Sequence, residues 1–306
     1  MSVSIKGASK PLLILGVSAA VLAGIGSYAW YESRRPAIFE LYVFDTPGSP
    51  SVFIRTPNDR RILIDGGAGV DIVERLTGIL PFYSRHIDIL IATKPDAKNV
   101  TGLIEVLNRY QADRIVVPAI TLESLGLASS TDAAYQIFLE DAKTAGVTVE
   151  ADSAGMRLVL DQGVPGSTSP ISTAADILFP VLAGGFKYSK ASSPEIVMRI
   201  NYGSASILLI ADASLKTQKF ISASNLEHIS ALIAYIKADP ADLSSDLIRS
   251  LTPGYLVYSQ TLSKSPRQSQ KDPLIGILKD RRFNIKDTGV VKITSDGTSL
   301  KVENEK

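Results

Sequence analysis

Four polar side chains crowd the exit of one apolar run. Ile87–Ala92 is continuously apolar apart from Asp88, and it leads into Thr93-Lys94-Pro95-Asp96-Ala97-Lys98-Asn99-Val100-Thr101-Gly102. Lys94, Asp96, Lys98 and Asn99 together offer two cations, one carboxylate and one amide. Such a set can bind a phosphate through the lysine pair, or close on itself by pairing Lys94 and Lys98 with Asp96, Asp65 or Asp212. Other chemistries fall away quickly. The chain has no cysteine and two histidines, His86 and His228, which removes disulfides, thiolate metal sites and cysteine nucleophiles. There is no Gly-x-Ser-x-Gly for a serine nucleophile and no Gly-rich phosphate loop. Both histidines are expected to be surface or satisfied groups.

The elements that must position this loop can be read from periodicity. Phe39–Phe44, Ser51–Arg55 and Arg61–Ile64 are short β-rich runs between Pro/Gly/Asn turns, and predict a meander. Val70–Leu80 has helical spacing, followed by strand Ile87–Ala92, helix Thr101–Tyr110, strand Arg114–Val117, helix Ala133–Ala145 and strand Val147–Glu150. The second half repeats the plan. Arg157–Leu160, Ala175–Pro180, Glu195–Tyr202 and Ser206–Ile210 are strands, with a hairpin at Asn201–Ser204. A helix-like run at Leu226–Ile233 carries His228, and helix Ser244–Leu251 leads into strand Tyr255–Ser259. Both halves pair strands first and add helices second, which favours one domain of two packed sheets with helices outside. Residues 163–173 and 263–272 read as exposed loops.

Composition fits a folded body: 306 residues with 45% hydrophobic content can bury a sizeable core. The 32 basic residues nearly cancel the 31 acidic ones, so no global charge draws the chain to nucleic acid. From Pro11 to Trp30 no charge occurs, and about 20 helical residues match a bilayer core of roughly 30 Å. Lys6 and Lys10 precede this segment, so it is expected to run from the cytoplasm outward as a single-pass anchor. That divides the chain into a cytoplasmic 1–10, an anchor 11–30, a linker 31–38 and a body 39–306 outside the cytoplasm. A cleaved signal peptide ending at Ser27-Tyr28-Ala29 is the competing reading. Gly16, Ala20 and Gly24 lie on one stripe, which suits self-association but is also common in spanning segments.

Several motifs together resemble one family. Phe44-Asp45-Thr46-Pro47-Gly48-Ser49-Pro50-Ser51 keeps the ends of a Phe-Asp-Val-Gly-Gln-Gly-Asp-Ser element. Arg55-Thr56-Pro57-Asn58 and Leu63-Ile64-Asp65-Gly66-Gly67 are intact, and Leu208-Leu209-Ile210-Ala211-Asp212 matches a Leu-Leu…Gly-Asp strand end. Over about residues 39–302 the chain resembles the metallo-β-lactamase-like domain of the ComEC-type competence (DNA-uptake) proteins. The resemblance implies a four-layer αββα sandwich, and a metal site at Asp65, Lys94, Asp96, Lys98, Asn99, Asp212 and Asp272. At those positions the family's histidines are gone: Lys94, Lys98 and Asn99 replace ligands, Asp272 stands where a histidine belongs, and Ile236–Pro240 replaces a His-His-Gly-Ser element. A hydrolytic centre needs three or more imidazole or carboxylate donors per metal to bring bound water toward a pKa of about 7. The expectation is therefore a pseudoenzyme, without metal or other cofactor and without catalytic residues, acting as a binding or assembly module. Its expected partners are the membrane and a protein or second copy, with nucleic acid supported by the resemblance alone. A divergent hydrolase using Mg²⁺ or Mn²⁺ on the remaining aspartates is the alternative.

Overall fold

The computed structural model describes residues 9–33, 38–119, 133–163, 170–181, 195–224, 226, 228–235, 243–259, 277 and 279–305. It begins with helix α1 (Ser9–Ser33). Eight strands then form one sheet: β1 (Phe39–Phe44), β2 (Ser51–Arg55), β3 (Arg61–Ile64), β4 (His86–Ile91), β5 (Gln111–Pro118), β6 (Thr148–Asp152), β14 (Val290–Ser295) and β15 (Leu300–Glu305). Their spatial order is β15-β14-β1-β2-β3-β4-β5-β6. The second sheet holds β7 (Arg157–Asp161), β8 (Thr173–Phe179), β9 (Val197–Tyr202), β10 (Ala205–Ala211), β11 (Ala231–Tyr235), β12 (Tyr255–Ser259) and β13 (Arg282–Asn284). It runs β13-β12-β11-β10-β9-β8-β7.

Strand alternation separates the layers. Leu41, Val43, Ile54, Ile62, Ile64, Ile89 and Ile91 from the first sheet share a core with Ile177, Met198, Ile200, Ile207, Leu209, Ile233 and Val257 from the second. The intervening residues of the first sheet, Tyr42, Phe44, Phe53, Leu63 and Leu90, pack outward with helices α2 (Asp71–Ile79), α3 (Ala97–Leu107) and α4 (Ala133–Thr144). Leu208, Ile210, Leu232 and Leu256 do the same for α5 (Leu215–Ser222) and α6 (Ser245–Leu251). A period of two thus loads each sheet on both faces. The result is the four-layer αββα sandwich that the resemblance implies, closed by the short helix α7 (Ile285–Thr288) before β14.

Three local expectations change. Helix α3 starts at Ala97, not Thr101, because the Asp96 side chain accepts from the Asn99 backbone N–H and caps it. Lys98 and Asn99 therefore belong to a first helical turn, not to a loop. The helix-like run at 226–233 gives way to β11, whose Ala231, Leu232, Ile233 and Ala234 are buried between two parallel neighbours. An apolar run covered on both faces carries no alternation, so periodicity cannot identify it as a strand. Helix α5 was not expected; Ser214 caps it by accepting from the Thr217 N–H. The hairpin at 201–204 is present, with Tyr202 opposite Ala205 and Gly203 at φ 56°.

Among the described residues no helix is long and apolar enough to cross a membrane. Side chains of α1 are described without interruption over 14–24, about 16 Å of rise, whereas its backbone is helical over 25 residues. Within that stretch Ile14, Leu15, Val17, Val21 and Leu22 are all exposed.

The sandwich leaves no room between the turn after β3 and α3. A Cβ on Gly102 would lie 1.9 Å from the Gly66 carbonyl oxygen, and one on Gly66 would lie 2.3 Å from the Leu103 nitrogen. Gly102→Ala is therefore expected to cost about 1–3 kcal/mol or more. Gly78→Ala, on α2 with nothing within 4 Å, should stabilise by about 0.5–1 kcal/mol. Denaturant unfolding of the two variants reads both signs.

Candidate functional site

Strands β3 and β4 are parallel, with Ile64 opposite Ile91, so the residues that follow them emerge side by side at one end of the sandwich. Asp65 comes after β3, and Thr93 and Lys94 follow the exit of β4. From the second sheet, Glu195 precedes β9 and Asp212 follows β10; β9 and β10 are antiparallel, so this start and this end meet. The Ile196 N–H donates to the Thr93 carbonyl at 2.7 Å, tying the two edges by backbone.

Lys94 fills the space between them. Its Nζ lies 2.9 Å from Glu195 Oε2, forms an ion pair with Asp212 Oδ1, and donates to the Asp212 carbonyl at 3.2 Å. Lys94 is 7% exposed and Glu195 3%. Burial works to lower the Lys94 pKa, but the Glu195 and Asp212 charges outweigh it and hold the ammonium above the ordinary lysine range. Glu195 Oε1 also accepts from the Ser214 N–H at 3.1 Å, which fixes the carboxylate against the start of α5.

Asp65 forms a second, adjoining cluster. Its oxygens accept from the Thr93 N–H at 2.7 Å, the Thr93 hydroxyl at 2.6 Å and Asn99 Nδ2 at 2.8 Å. Asn99 also approaches Thr93 Oγ1 at 3.1 Å and Ser49 Oγ at 3.4 Å. Asp65 is 2% exposed with φ 56°, a left-handed conformation that aspartate tolerates better than bulkier residues. Desolvation pushes its pKa up to about 7 against these hydrogen bonds, with the charge of Asp212 adding to the rise.

The expected site residues thus divide. Asp65, Lys94, Asn99 and Asp212 converge, and the predicted Lys94–Asp212 pair is present. Asp96 serves as a helix cap. Lys98 does not pair: it is exposed, in the first turn of α3, and makes no ion pair among the described residues. Nor do Lys94 and Lys98 form one phosphate site, since Lys94 is buried between two carboxylates. Asp272 and 236–240 lie outside the described residues. Glu195 was missed; its only sequence signal is an acidic residue at the start of an apolar strand, IVMRINY.

These side chains do not fit a hydrolytic metal. Asp65 already accepts three hydrogen bonds from protein donors, Glu195 and Asp212 are committed to an ammonium, and Lys94 cannot ligate in its charged form.

A different cluster, at the opposite end of β4, also escaped the sequence. His86 Nε2 lies 3.3 Å from Asp113 Oδ2 and 3.9 Å from Asp88 Oδ1, a grouping of metal-ligand type. Asp88 is already used: Arg60 pairs with one oxygen and the Arg61 N–H donates to the other at 2.8 Å. The cluster accordingly ties the start of β4 to β5 and to the Arg60–Arg61 segment. The signal for it was period two, which places His86 and Asp88 on one face of β4.

No family model matches the chain, and no curated protein matches it. Among solved structures, the chain is similar to the metallo-β-lactamase fold protein YhfI from Bacillus subtilis, at 12% identity over 80% of this chain and 95% of that one, TM-score 0.49. It is also similar to a long-form RNase Z from yeast, at 11% identity over 78% of this chain and 40% of that one, TM-score 0.46. A third is the diiron β-hydroxylase CmlA from Streptomyces venezuelae, at 13% identity over 72% and 44%, TM-score 0.45.

The Asp65 shift has a sign that can be measured. Unfolded, the group ionises near 3.8; folded, at about 7. Between those values the folded state holds a proton that the unfolded chain has lost, so stability falls as pH rises through the window and levels above it. Urea unfolding at pH 5.5 should exceed that at pH 8 by about 2 kcal/mol from this group. Asp65→Asn should remove that increment; an unchanged increment would place its source elsewhere.

Proposed function

We propose that this chain is a membrane-anchored, extracytoplasmic pseudoenzyme: a metallo-β-lactamase-like sandwich in which a lysine stands in for the metal cation and the body serves as a binding or assembly module. The observation that carries the reading is Lys94, an ammonium buried between Glu195 and Asp212 at the sandwich edge. A buried and a half-buried carboxylate facing each other need a cation, and a lysine supplies charge without supplying a Lewis acid or an activated water. The edge can then hold its shape with no hydrolytic centre. The anchor is supported by the uncharged stretch Pro11–Trp30, by the helical backbone over Ser9–Ser33, and by apolar side chains on α1 that all face outward where described. Membrane and a protein partner, or a second copy, are the partners this reading takes. Service in an envelope or DNA-uptake machine, and any contact with DNA, rest on the resemblance to ComEC-type domains.

The test is metal analysis of the detergent-solubilised full chain, together with turnover of a phosphodiester substrate in added Zn²⁺, Mn²⁺ or Mg²⁺. The expected result is no stoichiometric metal and no turnover above the metal-free blank. Stoichiometric metal with turnover that collapses on Asp96→Asn or Asp212→Asn would instead establish a divergent hydrolase.

A further inference from the structure

Two large aromatic side chains stand in solvent at the tip of one turn: Phe82 is 90% exposed and Tyr83 66%. They occupy the central positions of a turn closed by the Ser84 N–H donating to the Pro81 carbonyl at 2.8 Å, so both project outward. The turn is held from behind. Arg61 donates to the Ser84 hydroxyl, the Gln111 N–H donates to the Arg85 carbonyl at 2.9 Å, and the Arg85 guanidinium lies 5.4 Å from the centre of the Tyr110 ring. Exposed aromatics on a braced turn lose little entropy on docking, and their exposure costs the free protein hydrophobic free energy.

The sheet register says what lies next to them. Glu40 is opposite Arg55, Arg55 opposite Arg61, and the β3–β4 pairing of Ile62 with Ile89 sets Arg61 level with Asp88. Counting back two residues along the parallel strands β1 and β4 puts Ile38 level with His86. The turn at 81–84 therefore lies at the sheet end where the chain arrives from α1, three strands or about 14 Å to the side. The covalent chain from Ser33 to Phe39 spans at most about 20 Å, so wherever α1 is lodged, this end of the body stays close.

We infer that the Phe82–Tyr83 turn is a lipid-contact site, seated in the headgroup interface of the same bilayer that α1 enters. This rests on the anchor proposed above. Phenylalanine and tyrosine suit that layer, with apolar rings and a hydroxyl that stays wet, and the exposed Arg85 at the base of the turn suits anionic headgroups. The Lys94 edge, at the far end of the parallel strands, then faces away from the membrane.

The chain has no cysteine, so a single introduced one carries a unique nitroxide. In full-length protein reconstituted into phosphatidylcholine/phosphatidylglycerol vesicles, labels are placed at Leu22→Cys on α1, Phe82→Cys on the turn and Leu215→Cys beside Asp212. Collision with oxygen should exceed collision with a water-soluble nickel chelate at positions 22 and 82, and the order should reverse at 215. Tyr83→Cys should repeat the pattern of 82, which guards against a disturbance particular to one variant. A lipid-exposed label at 22 with a water-exposed label at 82 overturns the inference and leaves the anchor standing. Shielding from both reagents at 82 overturns it in favour of a protein contact, and a water-exposed label at 22 overturns the anchor itself.

Discussion

A buried and a half-buried carboxylate on one sheet and one ammonium from the other govern one end of this sandwich. Glu195 and Asp212 sit at the start and the end of adjacent antiparallel strands, so the hairpin topology forces them together. Their mutual repulsion in a desolvated site would open the edge unless a cation lay between them. Lys94 reaches across from the exit of β4 to supply it. What depends on this is the relation of the two sheets at that end: the Ile196–Thr93 backbone bond, the Asp65–Thr93–Asn99 cluster beside it and the start of α3 all adjoin the same residue pair.

A bound metal and a lysine solve the same electrostatic problem with different chemical consequences. A divalent ion neutralises several carboxylates and leaves open positions where water is activated. An ammonium neutralises by short hydrogen bonds, has no open position, and leaves nothing nucleophilic behind. Asp65 is held in the same way, by hydrogen bonds from Thr93 and Asn99. Asn99 is well suited to that task, because an amide can donate to a carboxylate that a second carboxylate would repel. Lys94 and Asn99 are therefore mutually consistent, since each satisfies a buried acid.

Much of the scaffold was legible in the sequence. The meander β1–β3, the strands β4 and β5 and the hairpin at 201–204 follow from apolar runs and turn residues, and Asp65-Gly66-Gly67 stood out as a motif. The reason for its glycines did not: Gly66 is required by backbone contact with Gly102, which lies 36 residues later in the numbering. Glu195 was invisible for a similar reason. Nothing local distinguishes it from any acid before a strand, and only the meeting of two sheets gives it a lysine. Strand β11 was misread because burial on both faces erases the period, and the start of α3 because a cap outweighed the apparent loop. The sequence therefore speaks well for what neighbours along the chain decide and poorly for what the sandwich brings together.

The central claim is that Lys94 is energetically bound to the carboxylates it faces. A double-mutant cycle tests this directly, with Lys94→Met, Glu195→Gln and the combined variant compared by equilibrium denaturant unfolding. Lys94→Met alone should cost about 3–5 kcal/mol, because it strands buried charge. The combined variant should recover a coupling of about 1–3 kcal/mol relative to the sum of the singles. Additivity within about 0.5 kcal/mol would mean that the ammonium does not replace a structural cation, and would contradict the account.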